Sequence, residues 1–176
     1  KKNKKFIYLI SPENIKENSF YKNLEILLKI KKVSYFQLRL KRTKLKKIIS
    51  IGKKIKSICK KNSVKLIIND NPLAANKIGA DGCHIGQKDG SVKKAKKILK
   101  NKILGITCHN SIKLIKKALN GGVDYIAIGA FYSSKTKKIK HKASIKLLLK
   151  ARKMTKIPIV AIGGINSENY KKLLLN

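Results

Sequence analysis

Short apolar runs alternate along the chain with Lys-rich stretches whose apolar residues recur every three or four positions. The short runs predict buried strands, and the longer spacing predicts amphipathic helices. The predicted strands are Phe6–Ile10, Tyr35–Leu40, Val64–Asn69, Gly82–Ile85, Ile103–Thr107, Tyr125–Gly129 and Pro158–Ile162. The predicted helices are Asn23–Ile30, Lys44–Lys61, Pro72–Ile78, Ser91–Leu99, Ser111–Leu119 and Ser144–Met154. Strands and helices that alternate in this way indicate a parallel α/β sheet.

Seven strand-helix units in a row, without a long insertion, favour a TIM-type (β/α)8 barrel over an open doubly wound sheet. The first strand is not followed by Gly-x-Gly-x-x-Gly, which also argues against a dinucleotide-binding fold. We expect residues 1–176 to form a single barrel domain that lacks its last β/α unit. Open strand edges would make such a chain less stable than an extended version and would favour a homo-oligomer, in which it pairs with another copy of itself.

Two carboxylates follow neighbouring predicted strands. Asp70 and Asp89 are expected at the tips of the third and fourth strands, nineteen positions apart, which leaves room for one short helix between them. Because a barrel places its active site at the carboxyl ends of its strands, these hard oxygen ligands are expected to share one Mg²⁺. The alternative is that both are ordinary capping or turn aspartates.

Polar residues also occupy alternate positions at the end of the second strand. Gln37, Arg39 and Lys41 fall on one face, and Phe36, Leu38 and Leu40 fall on the other. The apolar face is expected to pack under helices, and the polar face to point into the barrel mouth and meet an anion. An edge strand with a solvated polar face is the alternative.

Two later loops are suited to phosphate. The loop Gly129–Lys137 carries hydroxyls, backbone amides and Lys, and Gly163-Gly164 follows the seventh strand. Bare amides can approach an oxyanion closely, and the loops after strands seven and eight bind phosphate in many barrels. Gly163 and Gly164 are also compatible with a tight turn that needs positive φ.

The composition has 44 Lys and Arg against eight Asp and Glu, a formal net charge of +36. Almost all of the basic residues are Lys, spread along a chain rich in Ile and Asn, as expected from an A+T-rich genome. Exposed aromatic residues do not alternate with them, so we expect weak nonspecific polyanion binding and no dedicated nucleic-acid function. No apolar run approaches the ~20 residues of a membrane span. The three cysteines lack CxxC spacing, which favours a reduced cytoplasmic location.

Six short segments, in order and at fitting spacings, resemble the thiamine phosphate synthase family. They are Gln37-x-Arg39-x-Lys41, Asn69-Asp70, Gly82-Cys83-His84-Ile85-Gly86-Gln87-x-Asp89, Gly105-Ile106-Thr107-Cys108-His109, Ser134-Lys135-Thr136-Lys137 and Ile162-Gly163-Gly164-Ile165. The resemblance runs from about Tyr8 to the C-terminus. It implies a transferase that joins hydroxymethylpyrimidine pyrophosphate to thiazole phosphate and releases pyrophosphate.

The resemblance also implies a role for each matching residue. Asp70 and Asp89 would hold Mg²⁺, and Arg39, Lys41, Asn69 and Lys137 would bind pyrophosphate, with Arg39, Lys41 and Lys137 stabilising the leaving group. Gln37 and Thr107 would face the pyrimidine. Gly163 and Gly164 would supply amides to the thiazole phosphate, and Ser134 and Thr136 would line the site. Without its eighth unit, the chain is expected to bind thiazole phosphate poorly but to retain Mg²⁺-pyrophosphate binding.

Three other functions fit part of the sequence. A related thiazole tautomerase would use a histidine such as His109 for proton transfer, but it has no need of paired aspartates or of a cationic strand end. A nonenzymatic barrel that binds a phosphorylated metabolite is the second alternative. Cys83-His84 and Cys108-His109 suggest zinc only weakly, because neighbouring residues on a strand point to opposite faces.

Overall fold

The computed structural model describes residues 5–15, 17–133 and 141–175. The strands are β1 Ile7–Ile10, β2 Val33–Leu38, β3 Lys65–Asn69, β4 Gly82–Ile85, β5 Ile103–His109, β6 Tyr125–Gly129 and β7 Ile159–Ile162. The helices are α1 Glu17–Leu28, α2 Leu45–Lys61, α3 Pro72–Ile78, α4 Val92–Leu99, α5 Ile112–Asn120, α6 Ile145–Met154 and α7 Tyr170–Leu174. Each strand is therefore followed by a helix, as the sequence pattern predicts.

The described residues form two compact units. The first contains the chain up to Ile85 together with Lys94–Leu104, and the second contains Gly86–Lys93 and the chain from Gly105 on. In the first unit, β1, β2, β3 and β4 lie side by side in chain order. In the second unit, β5 pairs with β6 and β6 with β7. All of these pairings are parallel.

The core of the first unit is built on β3. Leu66, Ile67 and Ile68 are consecutive and each is at most 1% exposed, so both faces of this strand are covered. The next helix begins where the sequence predicts. The Asn71 side-chain oxygen accepts a hydrogen bond from the Ala74 amide (2.8 Å), with Pro72 in the first helical position. The chain leaves β3 in a fixed direction as a result.

The amino-terminal end of β3 is held by Asp81. Its carboxylate accepts hydrogen bonds from the Leu66 amide (2.8 Å) and from Lys56 Nζ (2.6 Å), and Lys65 Nζ lies 3.6 Å away. Burial raises the pKa of this carboxyl, but the hydrogen bonds from Lys56 and Leu66 and the charges of Lys56 and Lys65 outweigh burial, so the pKa is lowered. Asp81 thereby ties α2 and β3 together at the end of the strand remote from Asp70.

The second unit has its core on β6. Ile126 and Ile128 are fully buried, and the ring of Tyr125 fills the space that a side chain at position 105 would need. Gly105 on β5 is therefore required for the packing of Tyr125. Among the helices that the structure describes, none is both long enough and apolar enough to cross a membrane.

Most element bounds agree with the sequence predictions to within two residues, and three differences matter for the site or the fold. Helix α1 begins at Glu17, six residues before the predicted start, and α7 was not predicted. Strand β2 ends at Leu38, so the expectation that Arg39 and Lys41 share a strand face with Gln37 is wrong. The period-two pattern continues past the last ladder hydrogen bond, and Lys41 lies in a turn.

Candidate functional site

Gln37 is a buried polar residue near the end of β2. It is 4% exposed, and its Nε2 donates a hydrogen bond to the Tyr8 hydroxyl (2.9 Å). Tyr8 in turn stacks on Tyr35, with ring centroids 5.6 Å apart. On the opposite face, Phe36 packs against Phe20 of α1, which confirms that this face lies under a helix. Gln37 is thus held in place by an aromatic pair, which suits a residue that positions a planar ligand.

Arg39 is fixed by the loop that follows β1. Its backbone amide donates to the Ser11 hydroxyl (2.9 Å), and its Nη1 donates to Glu13 Oε1 (2.6 Å). The hydrogen bond and positive charge of Arg39 hold the pKa of the Glu13 carboxyl below its usual range, and Lys41 and Arg42 act in the same direction. Glu13 is therefore paired with Arg39, and the charges of Lys41 and Arg42 add to the positive potential around it.

Asn69 and Asp70 lie at the carboxyl end of β3, and both are half-buried. Asn69 Nδ2 donates to Asp70 Oδ2 (2.5 Å), and the Asp70 amide donates to the carbonyl of His84 on β4 (2.7 Å). Asp70 has φ of 61°, a left-handed conformation that few residues other than glycine adopt. Backbone conformations of this kind are concentrated at functional sites, and this one lies directly after the last residue of β3.

These two strand ends share an open concavity of about 320 Å³. Its walls are Leu40, Lys41, Arg42, Ile48, Asn69, Asp70 and Asn71, all in the first unit. Three predicted site residues, Lys41, Asn69 and Asp70, are therefore brought together. The walls combine two cations, two amides and a carboxylate, and this set can hold a phosphate together with a divalent metal ion.

The second unit contains the predicted residues Asp89 and Thr107. Asp89 is exposed, and its Oδ2 accepts a hydrogen bond from the Gly86 amide (3.0 Å), which folds the residues after β4 into a tight turn. Gln87 Nε2 donates to the Thr107 carbonyl (2.5 Å), so this turn is also attached to β5. Asp89 lies four residues beyond the last residue of β4, and not at the strand tip itself.

Gly163 and Gly164 follow β7 with φ of 96° and 64°. The Tyr132 amide donates to the Gly163 carbonyl (3.0 Å), and a side chain on either glycine would collide with the backbone after β6. Both glycines are thus required by a turn and by a close approach of two loops. Their predicted role as amide donors to a phosphate stays a prediction.

Two histidines make a contact that no sequence motif indicates. The rings of His109, at the end of β5, and His141 lie 4.6 Å apart, centroid to centroid. The His141 carbonyl accepts a hydrogen bond from the Ala130 amide (2.8 Å), which brings this part of the chain back beside β6. The predicted residues Ser134, Thr136 and Lys137 lie outside the described part of the chain.

Comparison with known proteins identifies the family. The family described as "Thiamine monophosphate synthase" matches residues 7–176. The "Thiamine-phosphate synthase" of Pelagibacter ubique is 62% identical over 175 residues, which is 99% of this chain and 84% of that protein. The chain belongs to the thiamine monophosphate synthase family. The resemblance predicted from the six segments is thereby confirmed, and with it the prediction of a transferase.

More distant relatives agree. The enzyme of the same name from Saccharophagus degradans is 40% identical over 143 residues, 81% of this chain and 66% of that protein. The solved structure of "Thiamine phosphate pyrophosphorylase" from Pyrococcus furiosus has a TM-score of 0.85 and 25% identity, over 97% of this chain and 80% of that one. The predicted TIM-like α/β fold is confirmed by this similarity. Neither the tautomerase nor the nonenzymatic alternative is supported.

Proposed function

We propose that this member of the thiamine monophosphate synthase family couples hydroxymethylpyrimidine pyrophosphate with thiazole phosphate, forming thiamine phosphate and releasing pyrophosphate. The observation that carries the proposal at the level of the site is the concavity of the first unit, where Lys41, Asn69 and Asp70 lie together. The two substrates are its proposed partners, and the cytoplasm is its proposed location.

Loss of pyrophosphate from a benzylic-type carbon depends on neutralising the charge of the leaving group. The pyrimidine is electron-rich and supports positive charge on that carbon, so the bond breaks before the thiazole nitrogen attacks. Arg39, Lys41, Asn69 and Lys137 are the proposed ligands of pyrophosphate, and no protein nucleophile is required. Gln37 and Thr107 are assigned to the pyrimidine, and Gly163 and Gly164 to the thiazole phosphate. Ser134 and Thr136 are assigned to the lining of the site.

Mg²⁺ is the proposed cofactor. The side chains fit such an ion because Asp70 presents a hard carboxylate at the concavity, oriented by the hydrogen bond from Asn69. Asp70 and Asp89 are the residues proposed to hold it. A bound Mg²⁺ would supply positive charge to the departing pyrophosphate.

The test is a calorimetric titration of Mg²⁺ with and without inorganic pyrophosphate. Two carboxylates seldom displace enough water from Mg²⁺ by themselves, so we expect strong binding only when pyrophosphate is present. Asp70→Asn and Asp89→Asn should each weaken this binding by at least about tenfold, because each removes an anionic ligand. As a control, Asp124→Asn, an exposed carboxylate directly before β6, should leave it unchanged. Equal Mg²⁺ affinity with and without pyrophosphate would contradict the proposal.

A further inference from the structure

Arg42 lines the concavity of the first unit. It does not belong to any of the six segments that resemble the family. It lies in the turn after β2, together with Lys41, and faces the same space as Asn69 and Asp70. Its φ of 51° is unusual for a residue with a side chain. The turn therefore holds Arg42 at this place although glycine would adopt the same backbone more easily.

The side chains that line the concavity differ in their exposure to solvent. Asn69 and Asp70 are half-buried, whereas Lys41 and Arg42 are exposed at the rim. A pyrophosphate ester is attached to the reacting carbon through its inner phosphate, so an ester whose carbon lies near the half-buried walls would place its outer phosphate at the rim. A rim guanidinium with its planar set of N–H donors is suited to bind the outer phosphate in a bidentate manner.

The charge around Arg42 supports an anion at this point. The positive charges of Arg39, Lys41 and Arg42 all lower the pKa of the Glu13 carboxyl, so this region carries a positive potential that favours an anion. Glu13 pairs directly with Arg39, at 2.6 Å. A ligand with two linked phosphates matches this spread of positive charge better than a single phosphate does.

We propose that Arg42 binds the outer phosphate of the pyrophosphate group and so selects a pyrophosphate ester over a monophosphate. This inference rests on the proposed function. It makes Arg42 a determinant of substrate specificity in this chain, beside Lys41, Asn69 and Asp70 in the same concavity.

The test compares calorimetric titrations of inorganic pyrophosphate and orthophosphate, both in the presence of Mg²⁺. Arg42→Gly and Arg42→Gln should each weaken pyrophosphate binding by about tenfold, the scale of one charge-assisted hydrogen-bonding group at an exposed site. Binding of orthophosphate should change by less than about twofold. Arg42→Gly accepts the left-handed backbone, so this variant keeps the turn even if Arg42→Gln does not.

Lys44→Gln is the matched control. Lys44 lies two positions after Arg42 and does not line the concavity, so this variant removes one positive charge from the same region without changing the walls. It should leave both affinities within about twofold of the wild-type values. The inference is overturned if Arg42→Gly binds pyrophosphate as tightly as the wild type does, or if the affinities for pyrophosphate and orthophosphate fall by the same factor. Lys41→Gln separates this failure from failure of the proposed function. If Lys41→Gln also leaves pyrophosphate binding unchanged, the concavity is not the pyrophosphate site.

Discussion

At the scale of single residues, the contact between Glu13 and Arg39 bears directly on anion binding. The carboxylate takes the place on the guanidinium that the proposed function gives to pyrophosphate. An exposed ion pair contributes little to stability because solvent screens it, so a ligand of higher charge can replace it. Glu13 is thus both a partner that orders Arg39 and a competitor for the substrate.

Removing this competitor should strengthen pyrophosphate binding. We expect Glu13→Gln to raise the affinity for Mg²⁺-pyrophosphate by about threefold, a factor consistent with the small free energy of an exposed pair. Glu25→Gln on α1 makes the same change of charge away from Arg39 and should have no effect. Weaker binding in Glu13→Gln, measured by calorimetry, would show instead that Glu13 is needed to position Arg39.

The same pair has a defined pH dependence. Because Arg39 lowers the pKa of Glu13, the ion pair is complete above the pKa of an unfolded glutamate and is lost as the pH falls through the lower, folded value. Carboxyl-carbon NMR should show Glu13 titrating below the usual glutamate range in the wild type. In Arg39→Gln the midpoint should return toward that range, and an unchanged midpoint would contradict the ion pair.

Arg39 and His109 are expected to differ in their effect on coupling. Arg39→Ala should lower the coupling rate by at least ~100-fold, since charge stabilisation of the leaving group is lost. His109→Ala should retain much of the rate, because the proposed displacement needs no general base. Steady-state kinetics with both substrates gives the comparison. The reverse ranking would point to proton transfer by His109, as in a tautomerase.

The sequence identifies the chemical types in the site but not all of their contacts. Asn69, Asp70 and Lys41 are recognisable because they follow strands whose carboxyl ends meet. The contacts of Gln37 with Tyr8, Arg39 with Glu13 and His109 with His141 join residues 26 to 32 positions apart. Such pairs depend on how two loops or strands are placed in space, and no local pattern encodes that placement.

At the scale of elements, the predictions agree best with the structure where the ends of an element are marked by capping residues. Helix α3 is bounded by Asn71-Pro72 and by Gly79 with φ of 73°, and its predicted limits match the structure. Helix α7 is five residues long and has no buried residue, so it shows no apolar period to detect. Strand β2 was shifted by two residues because alternation continues into the following loop.

Asp81 provides a test of how the elements of the first unit are joined. Asp81→Asn should lower the free energy of unfolding by ~1–3 kcal/mol, because Lys56 and the Leu66 amide lose a charged acceptor. The folded pKa of Asp81 is lowered, so its stabilisation is full above the unfolded pKa and disappears as the pH falls through the folded one. Urea unfolding at pH 7 and at pH 3 should therefore show a smaller difference between variant and wild type at the lower pH.

Asp89→Asn is the matched control for this stability measurement, since it changes an exposed carboxylate that accepts a single amide hydrogen bond within a turn. We expect its unfolding free energy to stay closer to that of the wild type than that of Asp81→Asn. An Asp81→Asn protein as stable as the wild type at pH 7 would mean that α2 and β3 are held together by apolar packing alone.

At the scale of the whole molecule, the net charge of +36 dominates the electrostatics. Like charges repel in the compact state, and salt screens them. We expect the melting temperature to rise between 20 mM and 300 mM NaCl, and to rise less with an uncharged osmolyte of equal osmolarity. Calorimetric melting curves would show this, and a melting temperature independent of salt would mean that the lysines are too widely spaced to repel.

The three cysteines are all buried, and burial raises the pKa of the Cys59 and Cys108 thiols to about 12. A thiol with such a pKa is almost entirely protonated at neutral pH and reacts slowly with alkylating reagents until the structure around it opens. Cys59 belongs to the first compact unit and Cys108 to the second. The rate at which each cysteine is alkylated in the native protein therefore reports how often its own unit opens. Equal rates at both positions would mean that the two units open together.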